Sequence, residues 1–533
     1  MKRILLLILF LPLLSFGRKF YISSSTGNDA YTYLQAQNPS TPWKTLSHLE
    51  DMANTTPNST FAAGDTIAFK RGDVFANGRN RAFGSFIWSG PGTPGWGGNC
   101  PSGTLTNPIV FTSYGIGPEA NILFPYPSSV TANVRKAMLF DNVGYIVFDS
   151  LQFNDTRFSY TDKVTSAYTC SGLELGEGFT GDNPLSVHHM TVKNCIFSNI
   201  SYGIVSIGRY ITIQNNSFTN FKASGDTIGI NDVGADAIMP TGSHYLIKNN
   251  LIQGSWAYAN PNSSSEGKLG GGLESINDFD SSLIIYNTFF DNSGAMEFGQ
   301  NAGTQYGPND DTFAFNKFIN NFNACWVNVV GPFACTAARL HFWNNVIIEN
   351  QNSRHSGPNF GQDVLGDGQS FTNWSFWPSY PLNASNNAAG RYFGYSGDQY
   401  VTADTLYDVR NNIIWNNNNQ AINYSGRTKI KYNNNLYRLT SGSTIGAALG
   451  PGEISTLSKI FVDTTSINPM NWDFNLMAGS PAISNGTYVG VSPDYGGNTV
   501  TNPPSMGIYN YNITPPTPTV NTLRVRKRFV NKN

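Results

Sequence analysis

The 533-residue chain contains only nine glutamates, and three of them recur in one local setting. Ser171-Gly172-Leu173-Glu174, Gly271-Gly272-Leu273-Glu274 and Gly294-Ala295-Met296-Glu297 each place a Glu directly after a bulky apolar residue. Tyr202-Gly203-Ile204-Val205, Asp236-Ala237-Ile238-Met239 and Ala324-Cys325-Trp326-Val327 have the same shape without the Glu. Side chains alternate along a strand. With Leu173, Ile204, Ile238, Leu273 and Met296 inward, the residues after them form an outward column of Glu174, Val205, Met239, Glu274, Glu297 and Val327. Glu274 and Glu297 are 23 residues apart, the length of a short β-coil. On successive coils their backbones would lie about 4.8 Å apart. Two carboxylates that close repel, which raises the pKa of one. Retaining glycoside hydrolysis uses such a pair, with carboxyl groups about 5–5.5 Å apart, one as nucleophile and one as acid/base. Glu274 and Glu297 are therefore the candidate catalytic residues. A cation site and a plain solvated face are the other readings of the same pair.

Candidates for substrate contact surround them. Glu174 shares the column, Asp236 lies in the Gly-rich segment Gly225–Pro240, and Lys268 lies in the loop leading to Glu274. Arg339 and His341 precede Asn344, and Trp374 and Trp377 sit in an aromatic-rich stretch suited to the apolar faces of sugar rings. A rival chemistry is β-elimination on a uronate polymer. It needs a base, for which Lys268, Arg209 and Arg339 are candidates, and a charge to neutralise the uronate. Asp226, Asp232 and Asp236 offer oxygen ligands for Ca²⁺ in that role. Hydrolysis requires no cofactor. A non-catalytic carbohydrate-binding surface protein would use the same aromatic groove, and only the Glu pair separates it from an enzyme. His189 and His244 occupy equivalent repeat positions and read as turn residues.

The elements that would position these residues are repeats. An apolar-x-Asn-x-apolar pattern recurs around Asn194, Asn215, Asn249, Asn287, Asn316 and Asn344, with later copies at Asn411 and Asn434. Each copy is rich in β-branched and aromatic residues and is bounded by Asn, Gly, Ser and Asp, which is strand and turn chemistry. One such repeat cannot bury its own apolar face, so copies must stack. Stacked strands bring the recurring Asn amides within bonding reach of each other. The expectation is an all-β, right-handed parallel β-helix in which those six Asn form one column. Residues 41–54 carry Leu46, Leu49, Met52 and Ala53 on one stripe and are the expected helical cap.

Composition bounds the partners. Charged residues are 13% of the chain, about half the usual share, with a net charge of −1. Nucleic acid is not an expected partner, since the basic excess it demands is missing. Lys2 and Arg3 precede an apolar run from Ile4 to Leu14 and small residues at Ser15 and Gly17, the pattern of an export signal. Beyond it no apolar run is long enough to span a bilayer. A secreted or cell-surface monomer acting on a polysaccharide or oligosaccharide is expected. The five cysteines have no metal-ligand spacing; Cys325 and Cys335 are candidates for a disulfide, with buried free thiols the alternative.

Several stretches near the ends resemble secreted right-handed β-helix proteins of the pectate-lyase-like superfamily. They include Tyr21-Ile22-Ser23-Ser24-Ser25, Gly27-Asn28-Asp29 and Gly64-Asp65-Thr66-Ile67 near the start. Near the end they are Gly479-Ser480-Pro481-Ala482, Asp494-Tyr495-Gly496-Gly497-Asn498 and Met506-Gly507-Ile508-Tyr509. The resemblance spans about residues 20–511. It implies the β-helix and a carbohydrate-active role, in a group that holds lyases, hydrolases, epimerases and non-catalytic proteins. The Trp-Ile-Asp-His motif of the classical pectate lyases and the Asn-Thr-Asp of polygalacturonases are missing, so no catalytic residue carries over. The expected organisation is a signal peptide at 1–17, an N-terminal cap at 18–75 and the β-helix at 76–511. Insertions are expected at 79–105 and 351–406, and a Pro/Thr-rich basic tail at 512–533.

Overall fold

The computed structural model describes residues 17–54, 60–76, 86–91, 98–124, 134–156, 169–176, 187–222, 236–256, 271–275, 279–292, 294–300, 308–321, 325–329, 339–349, 393–395, 405, 407–416, 430–439, 445 and 448–511. Three long parallel sheets run the length of the molecule, two of 12 strands and one of 13. Successive coils visit them in a fixed order. Tyr202–Arg209 lies in the third sheet, Thr212–Gln214 in the first and Ser217–Lys222 in the second. The next coil repeats the path with Ile238–Ser243, Leu246–Lys248 and Leu251–Trp256, each parallel to its predecessor. This is a right-handed parallel β-helix. Inward residues fill its interior as stacks along the axis. Phe153, Phe197 and Phe218 stack at 4.9 Å, and Phe313 on Phe342 at 4.5 Å.

The corners explain the Asn repeat. Between the first and second sheets the chain turns on two residues. In the eight coils from Thr191–Lys193 onward the first is left-handed: Asn194, Asn215, Asn249, Tyr286, Phe315, Asn344, Asn411 and Asn434 have φ between 50° and 60°. Asn tolerates that conformation better than most side chains. The second residue is the buried one. Asn216, Asn250, Asn287, Asn316, Asn345, Asn412 and Asn435 form a continuous ladder, each Nδ2 donating to the Oδ1 of the next. Each backbone N–H does the same, as from Asn250 to Asn287 at 3.0 Å. Glu453 closes the ladder, accepting from Asn435 Nδ2 at 3.0 Å and from the Tyr437 hydroxyl at 2.6 Å. The six Asn expected in one column therefore belong to two adjacent ones. Asn194, Asn215, Asn249 and Asn344 are turn residues, whereas Asn287 and Asn316 are rungs of the ladder. A single-residue shift separates them, and Asn-Asn pairs at most corners hide it in the sequence.

The corner between the third and first sheets also turns on a left-handed residue, including His189, Tyr210, His244, Ser281, Asp310 and Arg339. Next to it, Asp311 is fully buried. Its Oδ1 accepts from the Ser282 N–H at 2.8 Å, and its Oδ2 has no hydrogen-bond partner among the described residues. Burial pushes this carboxyl well above its ordinary range; the nearby Asp280 and Asp310 charges add to the rise, and the Ser282 and Asn309 backbone bonds only reduce it. The unfolded chain therefore gives up this proton at lower pH than the folded one. Stability from this group is greatest below about pH 4 and declines as pH rises toward the folded-state value. Asp311→Asn is expected to raise stability at pH 7 by about 1–3 kcal/mol. Denaturant midpoints at pH 4 and pH 7 check this: the gap between mutant and native chain should widen with pH, and an unchanged gap would refute the account.

Both ends are covered. The helix Leu46–Ala53 starts at Thr45, whose side chain accepts from the His48 N–H, and it buries Leu46, Leu49 and Ala53. Asp29 of the Gly27-Asn28-Asp29 stretch holds the Lys44 N–H at 2.7 Å and the Thr45 hydroxyl at 2.7 Å. Asp65 pairs with Arg18 at 2.5 Å, and Asp494 accepts from the Asn510 N–H at 2.8 Å. The acidic residues of the terminal motifs thus hold turns and ends together. Phe86–Ser89, inside the expected 79–105 insertion, is the first strand of the third sheet, with Trp88 fully buried. After the hairpin of Phe461–Asp463 and Asp473–Leu476, residues 479–511 double back along the corner, where Asn344 and Asn411 donate to the carbonyls of Ser505 and Thr487. The 351–406 stretch lies outside the described residues except for the backbone of the strand Phe393–Tyr395 and residue 405. Cys100, Cys170 and Cys195 are buried free thiols; Cys335 and the Cys325 side chain fall outside the described set.

Candidate functional site

The third sheet carries the strands of the expected Glu column. Leu173, Ile204, Ile238, Leu273 and Met296 are all fully buried in the interior, as the pattern requires. Ile238 pairs with Leu273, and Leu273 with Met296. One residue on, Glu174 pairs with Val205 and Val205 with Met239. Glu274 is the register partner of Glu297 on the neighbouring parallel strand, Gly271–Ser275 against Gly294–Gln300. Adjacent strands in a sheet lie about 4.8 Å apart. The partner of Glu297 on the next strand is Trp326, so the last member of the column is Trp326 and not Val327. No sequence signal within the Ala324–Val327 run distinguishes those two registers.

Glu274 is half-buried between two buried neighbours, Leu273 and Ser275. Its strand is anchored from the preceding coil. Asp236, almost fully buried, accepts from the Gly271 N–H through Oδ1 at 2.6 Å. A Cβ on Gly271 would lie 3.1 Å from that oxygen and 3.4 Å from the Glu274 Cβ, so the glycine lets the three groups converge. Asp236 thus positions the strand that bears Glu274. At the other end of the column, Glu174 is buried and forms an ion pair with Lys136, and the Ser171 hydroxyl lies 3.4 Å from its second oxygen. Lys136 was not among the residues singled out from sequence. It precedes Leu139 by three, as Ser171 precedes Glu174, and that shared spacing was the available signal. Between the two Glu sites, Tyr202, Val205 and Met239 form a small apolar cluster on the outer face.

Arg339 and His341 stand elsewhere. His341 is on the strand Leu340–Trp343 of the first sheet, and Arg339 is the corner residue before it. They build a separate charged cluster. His341 lies 3.4 Å from both Asp310 and Asp408, Arg410 Nε donates to Asp408 at 2.6 Å, and Trp343 Nε1 donates to it at 3.2 Å. Burial of Asp408 raises its pKa, but bonds from His341, Arg410 and Trp343 outweigh that and hold it below the ordinary value. Lys268, Trp374 and Trp377 lie outside the described residues. Among the described residues no group of three or more His, Cys, Asp and Glu is placed to hold a metal, and no helix is long and apolar enough to cross a membrane.

A parallel β-helix whose third sheet bears acidic residues at either end of a small apolar cluster is the class that these observations define. No protein-family model and no curated protein sequence matches the chain. Among solved structures it is similar to the pectate lyase Pel9A, at 14% identity and TM-score 0.45 over 93% of this chain and 97% of that one. The PL6 family alginate lyase AlyGC follows at 12% identity and TM-score 0.42, over 89% of this chain and 60% of that one. The GH136 lacto-N-biosidase from Eubacterium ramulus is similar at 14% identity and TM-score 0.36 over 62% of this chain, which spans 63% of that protein's length.

Proposed function

We propose that this chain is an exported carbohydrate-active enzyme that cleaves a polysaccharide or its oligomers by glycoside hydrolysis, with Glu274 and Glu297 as the carboxylate pair. The register pairing of these two residues carries the reading. Neighbouring strand positions give a separation close to the 5 Å or so of double displacement, where one carboxylate attacks the anomeric carbon and the other protonates the leaving oxygen. Double displacement needs one carboxylate ionised as nucleophile and the other protonated as acid. The anchoring of the Gly271–Ser275 strand by Asp236 supports the same role, because double displacement tolerates little error in position. At the other end of the column, Lys136 pairs with Glu174.

The second reading is β-elimination, with the cationic Lys136 buried on the same outer face as the group that meets a uronate. Product analysis separates the two. Hydrolysis releases reducing ends without ultraviolet absorbance, and that is the expected result with the substrate that turns over. A conjugated unsaturated uronate end among the products would overturn hydrolysis in favour of the lyase. Binding of oligosaccharide without any product would leave a carbohydrate-binding protein.

A further inference from the structure

One side-chain pair stands apart from that column and its chemistry. Val187–His188 is a two-residue strand in which His188 is the register partner of Gly144 on one side and Arg209 on the other. A Cβ on Gly144 would lie 2.2 Å from the His188 ring, so only glycine leaves that ring its place. The next residue, His189, takes the left-handed corner conformation with φ of 52°. Its ring is stacked between Tyr145 at 4.6 Å and Tyr210 at 4.8 Å, and Tyr145 also meets His188 edge-on at 5.3 Å. Packing therefore holds two imidazoles at 86° to each other with their Nδ1 atoms 3.0 Å apart.

A single shared proton satisfies this contact as an ordinary N–H···N bond. The geometry also suits a chelate. With metal–nitrogen bonds of about 2.0–2.1 Å, nitrogens 3.0 Å apart subtend roughly a right angle at the ion. We propose that His188 and His189 form a binding site for a borderline divalent ion (Cu²⁺, Ni²⁺ or Zn²⁺), held by the two Nδ1 atoms with solvent completing its shell. Both rings are fixed by Gly144, Tyr145 and Tyr210, so little side-chain freedom is lost on binding. Imidazole ligands and the general affinity order favour Cu²⁺ over Ni²⁺ and Zn²⁺, and exclude Ca²⁺ as a competitor. Two protein ligands make the site an exchangeable one. Arg209 is the register partner of His188, and its positive charge opposes the ion.

The test uses the full chain without an affinity tag, titrated with CuCl₂ and then ZnCl₂ by calorimetry, with the Cu²⁺ signal followed by electron paramagnetic resonance. One equivalent of Cu²⁺ is expected, with nitrogen hyperfine coupling and with Zn²⁺ weaker. His188→Ala and His189→Asn are each expected to weaken Cu²⁺ by about tenfold or more; Asn keeps the left-handed corner accessible, so the fold is retained. Arg209→Ala should tighten binding, and His244→Ala should leave it unchanged. Failure of the native chain to saturate with Cu²⁺, or native affinity in both His188→Ala and His189→Asn, overturns the proposal, whatever the outcome for glycan cleavage.

Discussion

Glu274→Gln and Glu297→Gln are each expected to lower turnover by about two to four orders of magnitude while leaving the thermal midpoint almost unchanged. Gln keeps the shape of Glu and removes its charge and its acidity. On a retaining mechanism the two losses differ in kind. The variant lacking the nucleophile cannot form the glycosyl-enzyme, and the Ala variant at the same position, which leaves room for a small external anion such as azide, is rescued with an inverted product. The variant lacking the acid/base retains activity on substrates whose leaving group needs no proton. Both residues directly follow fully buried interior neighbours, Leu273 and Met296, which stay in place in both variants. The Glu174→Gln change belongs to another class. It leaves Lys136 buried without its counter-charge, and its expected effect is on stability and substrate binding rather than on the chemical step. Native turnover in both Glu274→Gln and Glu297→Gln would remove the pair from the mechanism.

The second large effect is expected in the Asn ladder. The side chain of Asn316 is fully buried and serves four groups. It accepts from the Asn287 N–H at 2.9 Å and from Asn287 Nδ2 at 3.1 Å, and it donates to the Ile284 carbonyl at 2.8 Å and to Asn345 Oδ1 at 3.2 Å. Asn316→Ala leaves those groups in a dry corner without partners, at a cost of about 3–5 kcal/mol. Asn249, one column away, is exposed and matters through its left-handed backbone. Asn249→Ala is expected to cost only about 1–2 kcal/mol. Chemical unfolding of the two variants side by side checks the assignment of columns. Equal losses would mean that the ladder contributes no more than the turn.

Much of this architecture was legible before any coordinate. The recurring Asn, the β-branched runs between them and the lack of helical periodicity pointed to stacked parallel coils. The three-residue strands of the first and second sheets, such as Thr191–Lys193 and Ile196–Ser198, are too short to be recognised singly and become visible only through repetition. The alternation after Leu173, Ile204, Ile238, Leu273 and Met296 located the outward column and paired Glu274 with Glu297. The register at the corners was not legible. In Asn194-Cys195, Asn215-Asn216 and Asn249-Asn250 the left-handed position and the buried rung are adjacent, and both favour Asn for different reasons. Local chemistry does not tell an Asn chosen for its backbone from one chosen for its amide. The same ambiguity put Val327 where Trp326 belongs, and it made Phe86–Ser89 look like part of a loop because its strand lies within a Gly-rich stretch.

By itself, the sequence determined the stacking of short coils, the inward and outward faces of most strands of the third sheet and the helical cap, because these follow from side-chain alternation and from short-range turn preferences. Tertiary structure alone decided which outward residues share a sheet. Glu274 and Glu297 fall on one face because their strands are consecutive in the third sheet, whereas His341 and Arg339, which read as part of the same site, turn a corner into the first sheet and meet Asp310 and Asp408 there. It also supplied the partners that sequence distance conceals: Lys136 for Glu174 across 38 residues, Asp236 for the Gly271 N–H across 35, and Gly144 beneath His188. The physical reason is the same in each case. Coil length varies as segments leave and return between strands, so which residues become neighbours is set by the hydrogen-bonded register of stacked strands and not by their spacing along the chain.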